Sequence, residues 1–166
     1  VPALSLVLDG IEQAGNVGSL LRSADGAGAG AVFLTGRRVR LNAPALVAAS
    51  RGACFFLPQY VCEPLELHRW FEERGVSLVA ADPAAAHRFD EVAYPFPLAV
   101  LVGNERGGVD PFWRERADLM VSIPMRGHCD SLNVATAATM VLYQAARGLD
   151  AAAAHEGGRG DGLREH

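Results

Sequence analysis

Three polar, glycine-containing segments carry the residues best suited to chemistry in this chain. The first spans residues 9–22 and contains Asn16, Gly18 and Arg22. An asparagine amide and an arginine guanidinium can together orient a hydroxyl group and bind a phosphate. Because Gly18 and Arg22 lie one helical turn apart, they share a helix face, and the glycine leaves the guanidinium unshielded. The alternative is an ordinary helix cap at Asn16 and a surface arginine.

The second segment, Gly-Asn-Glu-Arg-Gly-Gly at residues 103–108, directly follows an apolar run. Gly103 ends that run, and two more glycines, Gly107 and Gly108, follow a lone acid, Glu105. This composition is typical of a loop whose backbone approaches a ligand closely. A glycine-rich turn with a solvated Glu105 is the alternative interpretation.

The third segment runs from Ile123 through a polar loop into a long helical pattern. Ser131 is predicted to be the N-cap of that helix. Asn133 then lies in the first turn, where its amide can form a hydrogen bond with a ligand. The alternative is that Ser131 caps the helix and does nothing more.

Short apolar runs alternate with helical patterns along the chain. The alternation predicts an α/β domain with a mainly parallel sheet and flanking helices. Each of the three segments follows a β-like run, and ligands of parallel sheets gather at the carboxyl ends of strands. Strands are predicted at 4–8, 31–34, 55–57, 76–80, 98–102 and 119–123. Helices are predicted at 16–27, 43–49, 64–74, 111–117 and 131–147.

The chain has 166 residues, half of them hydrophobic, which indicates one folded domain. We expect this domain to span residues 1–150 and the glycine- and alanine-rich tail 151–166 to be disordered. No apolar run approaches the roughly 20 residues of a membrane span. The start of the chain has no signal-peptide pattern, so we expect a cytoplasmic protein without a membrane partner.

The formal net charge is −4, and all fifteen basic residues are arginine. The negative charge argues against a broad electrostatic grip on nucleic acid. The five histidines are scattered and the three cysteines lack metal-ligand spacing, so no metal site is predicted. The glycines at 26–30 precede a strand with the wrong spacing, which argues against a dinucleotide-binding fingerprint.

Taken together, the three segments resemble the three motifs of the SpoU family of RNA ribose 2′-O-methyltransferases, in the SPOUT superfamily. The first matches N-x-G-x-x-x-R, and the second matches G-x-E-x-x-G at Gly103, Glu105 and Gly108. The third matches I-P-M-x-G-x-x-x-S-L-N-V-x-x-A at residues 123–137. The resemblance covers residues 4–147.

The resemblance implies a C-terminal trefoil knot, S-adenosylmethionine as cofactor, and an active site shared across a homodimer. It implies that catalysis falls to Asn16, Arg22, Glu105, Ser131 and Asn133. The cofactor would lie against Ala80, Ala81, Gly103, Asn104, Glu105, Ile123, Pro124, Met125, Ser131, Leu132 and Asn133.

The substrate implied by the resemblance is RNA, with ribosomal RNA slightly favoured over transfer RNA. Its contacts are predicted at Arg22, Arg37, Arg38, Arg40, Arg51 and Arg126, although a solvated arginine run is the alternative. A non-catalytic RNA-binding or assembly module of the same fold is the second hypothesis. A different nucleotide-binding α/β enzyme is the third.

Overall fold

One parallel sheet organises the protein. The computed structural model describes residues 1–36 and 39–157, and within them seven strands pair in the order β3-β2-β1-β6-β4-β7-β5. Every pairing between these strands is parallel. The strands are β1 (Leu4–Asp9), β2 (Ala31–Thr35), β3 (Gln59–Val61), β4 (Ser77–Ala81), β5 (His87–Arg88), β6 (Leu98–Val102) and β7 (Leu119–Ser122). The predicted α/β class with a mainly parallel sheet is therefore confirmed.

Helices cover both faces of the sheet. They are α1 (Ala14–Gly26), α2 (Pro44–Ser50), α3 (Pro64–Arg74), α4 (Pro111–Arg114) and α5 (Val134–Gly157). Side chains of α1, α2 and α5 pack on one face, and those of α3 and α4 pack on the other. The central strands β1 and β6 are buried at every position, which explains why their sequences are almost continuously apolar.

The register of the central strands brings four loops to one edge of the sheet. Strand β6 lies between β1 and β4, so that Val102 pairs with both Leu8 and Ala81. Strand β7 continues this arrangement, because Val121 pairs with Ala81. Since the strands are parallel, the loops that follow β1, β4, β6 and β7 meet at their carboxyl ends.

The prediction of a strand at residues 55–57 is wrong. Residues Ala53–Phe55 form a 3-10 helix, and the edge strand β3 begins two residues after the predicted one. Arg51 and Gly52 both have positive φ, so the chain turns sharply before the 3-10 helix and cannot enter an extended run. Ala53 and Leu57 are buried, whereas Phe55 and Phe56, which also suggested a strand, are exposed.

The last helix begins later and ends later than predicted. Helix α5 starts at Val134, so Ser131 lies outside it and is not its N-cap. The helix continues to Gly157, past the predicted end at 147 and into the tail expected to be disordered. Alanine has the highest helix propensity, which accounts for the continuation through residues 151–154. Residues 158–166 lie outside the described part, and the knot remains a prediction.

No helix among the described residues combines the length and apolarity that crossing a membrane requires.

Candidate functional site

A cavity of about 470 Å³ opens at the carboxyl edge of the sheet. Its walls come from the start of α1, the loop after β4, the glycine-rich loop after β6, and the segment between β7 and α5. The three segments singled out in the sequence therefore meet in one pocket, because their strands end at the same edge. Pockets that bind cofactors and other small molecules typically enclose about 300–1,000 Å³.

A chain of hydrogen bonds joins the three segments inside this pocket. The Asn133 Nδ2 donates to Asn16 Oδ1 at 3.1 Å. The Asn16 Nδ2 donates in turn to Glu105 Oε1 at 2.9 Å. These two hydrogen bonds use both the Oδ1 and the Nδ2 of Asn16, and they hold the Glu105 carboxylate in a fixed orientation. Glu105 is therefore half-buried and hydrogen-bonded, which disfavours the freely solvated side chain of the alternative interpretation.

Asn133, and not Ser131, caps helix α5. Its Oδ1 accepts hydrogen bonds from the backbone N–H groups of Ala135 at 2.9 Å and Thr136 at 3.3 Å. These bonds satisfy two of the free N–H groups at the start of the helix. Because the same side chain donates to Asn16, the helix cap also fixes the hydrogen-bonded chain in the pocket.

The glycine-rich loop is closed by its own asparagine. Asn104 Oδ1 accepts from the backbone N–H groups of Arg106 and Gly107, and its Nδ2 donates to the Gly10 carbonyl at 2.7 Å. A Cβ atom on Gly103 would lie 2.1 Å from the Gly108 carbonyl oxygen. Gly103 is therefore required by the folding of the loop onto itself, a reason different from the ligand contact predicted for it.

Gly18 has a packing role that the sequence did not reveal. A Cβ atom at Gly18 would lie 2.4 Å from the Leu46 carbonyl oxygen and 2.7 Å from Ala49 Cβ. Helices α1 and α2 therefore approach closely at this glycine. Arg22 is exposed, as predicted, but the structure requires Gly18 for a different reason, because α2 packs against it. Arg22 does not line the pocket of its own chain.

The pocket contains an ion pair that the motifs did not indicate. The Arg114 Nη2 pairs with Asp82 Oδ2, and the Arg114 Nε donates to the Val109 carbonyl at 2.9 Å. The Asp82 side chain is 3% exposed, and its other oxygen accepts from the Ala84 N–H. The pair ties the loop after β4 to the glycine-rich loop. Its only sequence signal was the position of Asp82 directly after a strand.

Most of the residues predicted to contact a cofactor line the pocket. Ala80 is an exception because it is fully buried within β4, and Pro124 is not part of the lining. The pocket is also lined by Asn16, which was predicted as a catalytic residue. The predicted cofactor contacts that line it are Ala81, Gly103, Asn104, Glu105, Ile123, Met125, Ser131, Leu132 and Asn133.

The arginines predicted to bind RNA do not form one cluster. Arg40 follows β2 at the carboxyl edge, whereas Arg51 follows α2, which returns the chain to the opposite edge. Arg126 is exposed in the loop after β7 and contributes, after the hydrogen bond from Arg88, to a lowered pKa of Asp90. The predicted contacts Arg37 and Arg38 lie outside the described residues.

No group of three or more His, Cys, Asp and Glu side chains in the described part of the chain could hold a metal ion.

The fold and the pocket define an α/β protein whose strand-end loops line a cavity of small-molecule size. The sequence matches the SpoU rRNA Methylase family over residues 3–143. The chain belongs to this family.

Relatives and solved structures agree with this assignment. The chain is 37% identical over 150 residues to a 23S rRNA (uridine(2479)-2′-O)-methyltransferase of Streptomyces viridochromogenes, covering 87% of this chain and 52% of that protein. It is 39% identical to the 23S rRNA (guanosine-2′-O-)-methyltransferase RlmB of Nitrosomonas europaea, covering 88% and 56%. The chain thus spans just over half the length of these relatives.

The crystal structure of the SpoU methyltransferase AviRb from Streptomyces viridochromogenes, in complex with the cofactor AdoMet, superposes with a TM-score of 0.84. It is 35% identical to this chain, and the match covers 90% of this chain and 61% of that one.

Proposed function

We propose that residues 1–150 form the catalytic domain of an RNA ribose 2′-O-methyltransferase that uses S-adenosylmethionine. Ribosomal RNA is the favoured substrate, and transfer RNA is the other candidate. The observation that carries the proposal is the chain from Asn133 through Asn16 to Glu105, which unites all three motifs in one pocket. A cytoplasmic location follows from these proposed substrates.

The pocket fits the proposed cofactor in size and in chemistry. A cavity of about 470 Å³ accommodates a nucleoside with an amino-acid side arm. Its walls combine apolar side chains with backbone groups, which suits an adenine ring and a ribose. The Glu105 carboxylate, held by Asn16, supplies negative charge for a cation. When bound, S-adenosylmethionine would supply a methyl group on a positively charged sulfur, activated for in-line displacement.

The residues of this chain would contribute mainly by positioning and electrostatics. Asn133 and Asn16 orient Glu105, and the loops at 103–108 and 123–133 hold the cofactor and exclude water. We assign the positively charged Arg22 guanidinium to stabilising the negative charge that develops on the ribose 2′ oxygen. Ser131 is exposed at the rim, where its hydroxyl can contact the ribose.

A homodimer would bring Arg22 to a pocket. In its own chain Arg22 is exposed and outside the pocket lining, so a partner subunit's pocket is the site we propose for it. Met140 and Tyr143 lie one turn apart on α5 and remain 38% and 48% exposed, which leaves apolar area for such a partner. Tyr143 reaches Gly26 of α1, so this area adjoins the helix that carries Arg22.

Methyl transfer is tested with S-adenosylmethionine labelled on its methyl group and ribosomal RNA or transfer RNA transcripts. The product is digested with alkali, because a 2′-O-methyl group prevents attack of the 2′ oxygen on the neighbouring phosphate. We expect label in alkali-resistant dinucleotides. Label on a base would contradict the proposed reaction. RNA binding without any methyl transfer would favour the non-catalytic module.

The shared site is tested by mixing two inactive variants. Arg22→Ala and Glu105→Gln are each expected to reduce turnover by about 100-fold. If Arg22 serves the partner's pocket, a mixed dimer contains one intact site, and activity returns to about a quarter of the wild-type value. No recovery on mixing, despite exchange of subunits, would place Arg22 in the pocket of its own chain or outside catalysis.

A further inference from the structure

The charges of this chain are strongly segregated along the sequence. Residues 26–62 contain four arginines and no Asp or Glu. The remaining residues contain eleven arginines against nineteen acids. The net charge of −4 therefore hides a segment that carries only positive charge. We call this stretch, residues 26–62, the acid-free segment.

The described parts of the acid-free segment lie at the β3 end of the sheet. They comprise β2, α2, the 3-10 helix and the edge strand β3. Strand β3 pairs with β2 alone, so its other edge faces outward. Arg40 and Arg51, the described arginines of this segment, are both exposed and lie toward opposite ends of the strands on this side of the sheet.

Two consecutive aromatic side chains project from this side. Phe55 is 73% exposed and Phe56 is 82% exposed. Exposure of two adjacent large apolar side chains is unfavourable unless another molecule covers them. Phe55 lies four residues after Arg51, and the Phe56 ring approaches the turn at Gly52, whose Cβ position would be 3.9 Å from Phe56 Cε2.

The backbone beneath these rings is held rigidly. The Phe55 N–H donates to the Gly52 carbonyl at 3.0 Å, and the Phe56 N–H donates to the Ala53 carbonyl at 3.1 Å. The Gln59 side chain donates from Nε2 to the Cys54 carbonyl at 2.8 Å and thereby closes the turn. Binding a partner here would cost little conformational entropy, because the turn is already ordered.

We propose that Phe55 and Phe56 form a stacking platform for bases of single-stranded RNA, with Arg40 and Arg51 contacting its phosphates. This inference rests on the proposed function and specifies how the same RNA is held outside the pocket. Exposed aromatic rings beside cationic side chains are the combination that binds single strands, since every base offers a flat π face. The segment contains arginines and no acids, and RNA complements such a segment because it supplies negative charge at every nucleotide.

The platform would hold nucleotides several positions away from the methylated one. Strand β3 lies three strands from β6, or about 14 Å across the sheet. The 3-10 helix precedes β3 and therefore lies toward the amino-terminal edge, whereas the pocket lies at the carboxyl edge. The aromatic rings would thus increase affinity for RNA without taking part in methyl transfer.

The test measures binding of a fluorescein-labelled oligouridylate of about twelve nucleotides by fluorescence anisotropy. The main variant is Phe55→Ala with Phe56→Ala, whose high exposure leaves folding unaffected. A Phe→Leu double variant keeps apolar area without the π face, and a Phe→Tyr double variant keeps the π face. Leu65→Ala, which removes an exposed apolar side chain outside the acid-free segment, is the matched control.

We expect the alanine and leucine variants to bind the oligonucleotide about tenfold more weakly than wild type. The tyrosine variant and Leu65→Ala should bind like wild type. S-adenosylmethionine affinity, measured by calorimetry, should be the same for all variants. Failure of the wild-type protein to bind S-adenosylmethionine or to transfer a methyl group would instead count against the proposed function.

Unchanged oligonucleotide binding by the alanine variant would overturn the platform, as would failure of the wild-type protein to bind the oligonucleotide. Equal binding of the leucine and wild-type proteins would indicate plain apolar contact and overturn base stacking. A change in oligomeric state by light scattering, with RNA binding intact, would assign the rings to a contact between copies of this chain.

Discussion

Asn16 donates a hydrogen bond of 2.9 Å from its Nδ2 to Glu105 Oε1, although the two residues lie 89 positions apart in the chain. The bond connects the start of α1 to the glycine-rich loop after β6. Since Asn133 donates to the other end of the same amide, Asn16 is the central member of the hydrogen-bonded chain. The orientation of the Glu105 carboxylate therefore depends on a residue from each of the other two motifs.

Replacing Asn16 by Asp should make activity unusually dependent on pH. The variant keeps the acceptor for Asn133 but places a second carboxylate against Glu105. Like charges at this distance favour a shared proton, which raises the pKa of the pair. We expect turnover about 100-fold below wild type at pH 8, with the ratio of variant to wild type recovering as pH falls. A ratio that does not change with pH would contradict this prediction.

Replacing Asn133, the cap of α5, and replacing its neighbour Ser131 should have different effects on stability. Asn133→Ala removes two hydrogen bonds to the helix N-terminus and should lower the free energy of unfolding by about 1 kcal/mol. Ser131→Ala should leave that free energy unchanged, because Ser131 is exposed and lies outside the helix. Urea denaturation of both variants measures the difference. Equal destabilisation by the two substitutions would show that Ser131 shares the cap.

Two glycines of α1 should respond to alanine in opposite directions. Gly18→Ala forces a methyl group against the backbone of α2, and we expect a loss of about 1–3 kcal/mol in unfolding free energy. Gly15→Ala is the matched control, because nothing lies within 4 Å of its Cβ position and alanine favours the helix. Thermal denaturation should show a lower melting temperature only for Gly18→Ala. A stable Gly18→Ala variant would mean that α1 and α2 separate at little cost.

The Asp82–Arg114 pair should couple stability to cofactor binding. Arg114→Met leaves a buried carboxylate without its cation and should cost about 2 kcal/mol, less than a fully buried pair because Arg114 is 43% exposed. Asp82→Asn combined with Arg114→Met should restore part of the loss. We also expect weaker S-adenosylmethionine binding, since the pair ties two walls of the pocket together.

The control for this pair is Arg116→Met, which removes an arginine stacked on Phe112 outside the pocket. It should leave cofactor affinity unchanged. A double-mutant cycle by urea denaturation, with calorimetric titration of each variant, measures both effects. Additive effects of the Asp82 and Arg114 substitutions would show that the pair is not coupled.

Ionisation of the buried Tyr94 side chain should lower the stability of the folded protein at alkaline pH. Burial raises the pKa of Tyr94 from its ordinary value of 10.0 to about 12, and its Oη donates to the Phe89 carbonyl at 2.6 Å. The folded state thus favours the neutral phenol, and this contribution is fully present below pH 10 and is lost as pH rises toward 12. Denaturation between pH 9 and about 12 should show a decline that Tyr94→Phe lacks. Identical pH profiles for the two proteins would contradict it.

The sequence by itself was sufficient for the fold class and for the segments that build the site. The strands β1, β4 and β6 are mostly apolar because they are largely buried within the sheet, and this pattern is visible without coordinates. The helix Pro64–Arg74 was predicted with its observed bounds, since a proline opens it and Gly75 ends it. The three motifs were also correctly placed after strands.

The tertiary structure alone decided which side chains meet and what each glycine and cap does. Phe55 and Phe56 were assigned to a strand because an apolar pattern does not distinguish buried from exposed aromatic rings. Gly18 contacts α2, and Asp82 pairs with Arg114, which lies 32 positions away in the chain. Neither contact produces a local pattern in the sequence. Hydrogen bonds and close approaches between distant segments depend on strand order and register. The periodicity of apolar residues along a sequence indicates whether a side chain is buried, but it does not indicate which residues bury it.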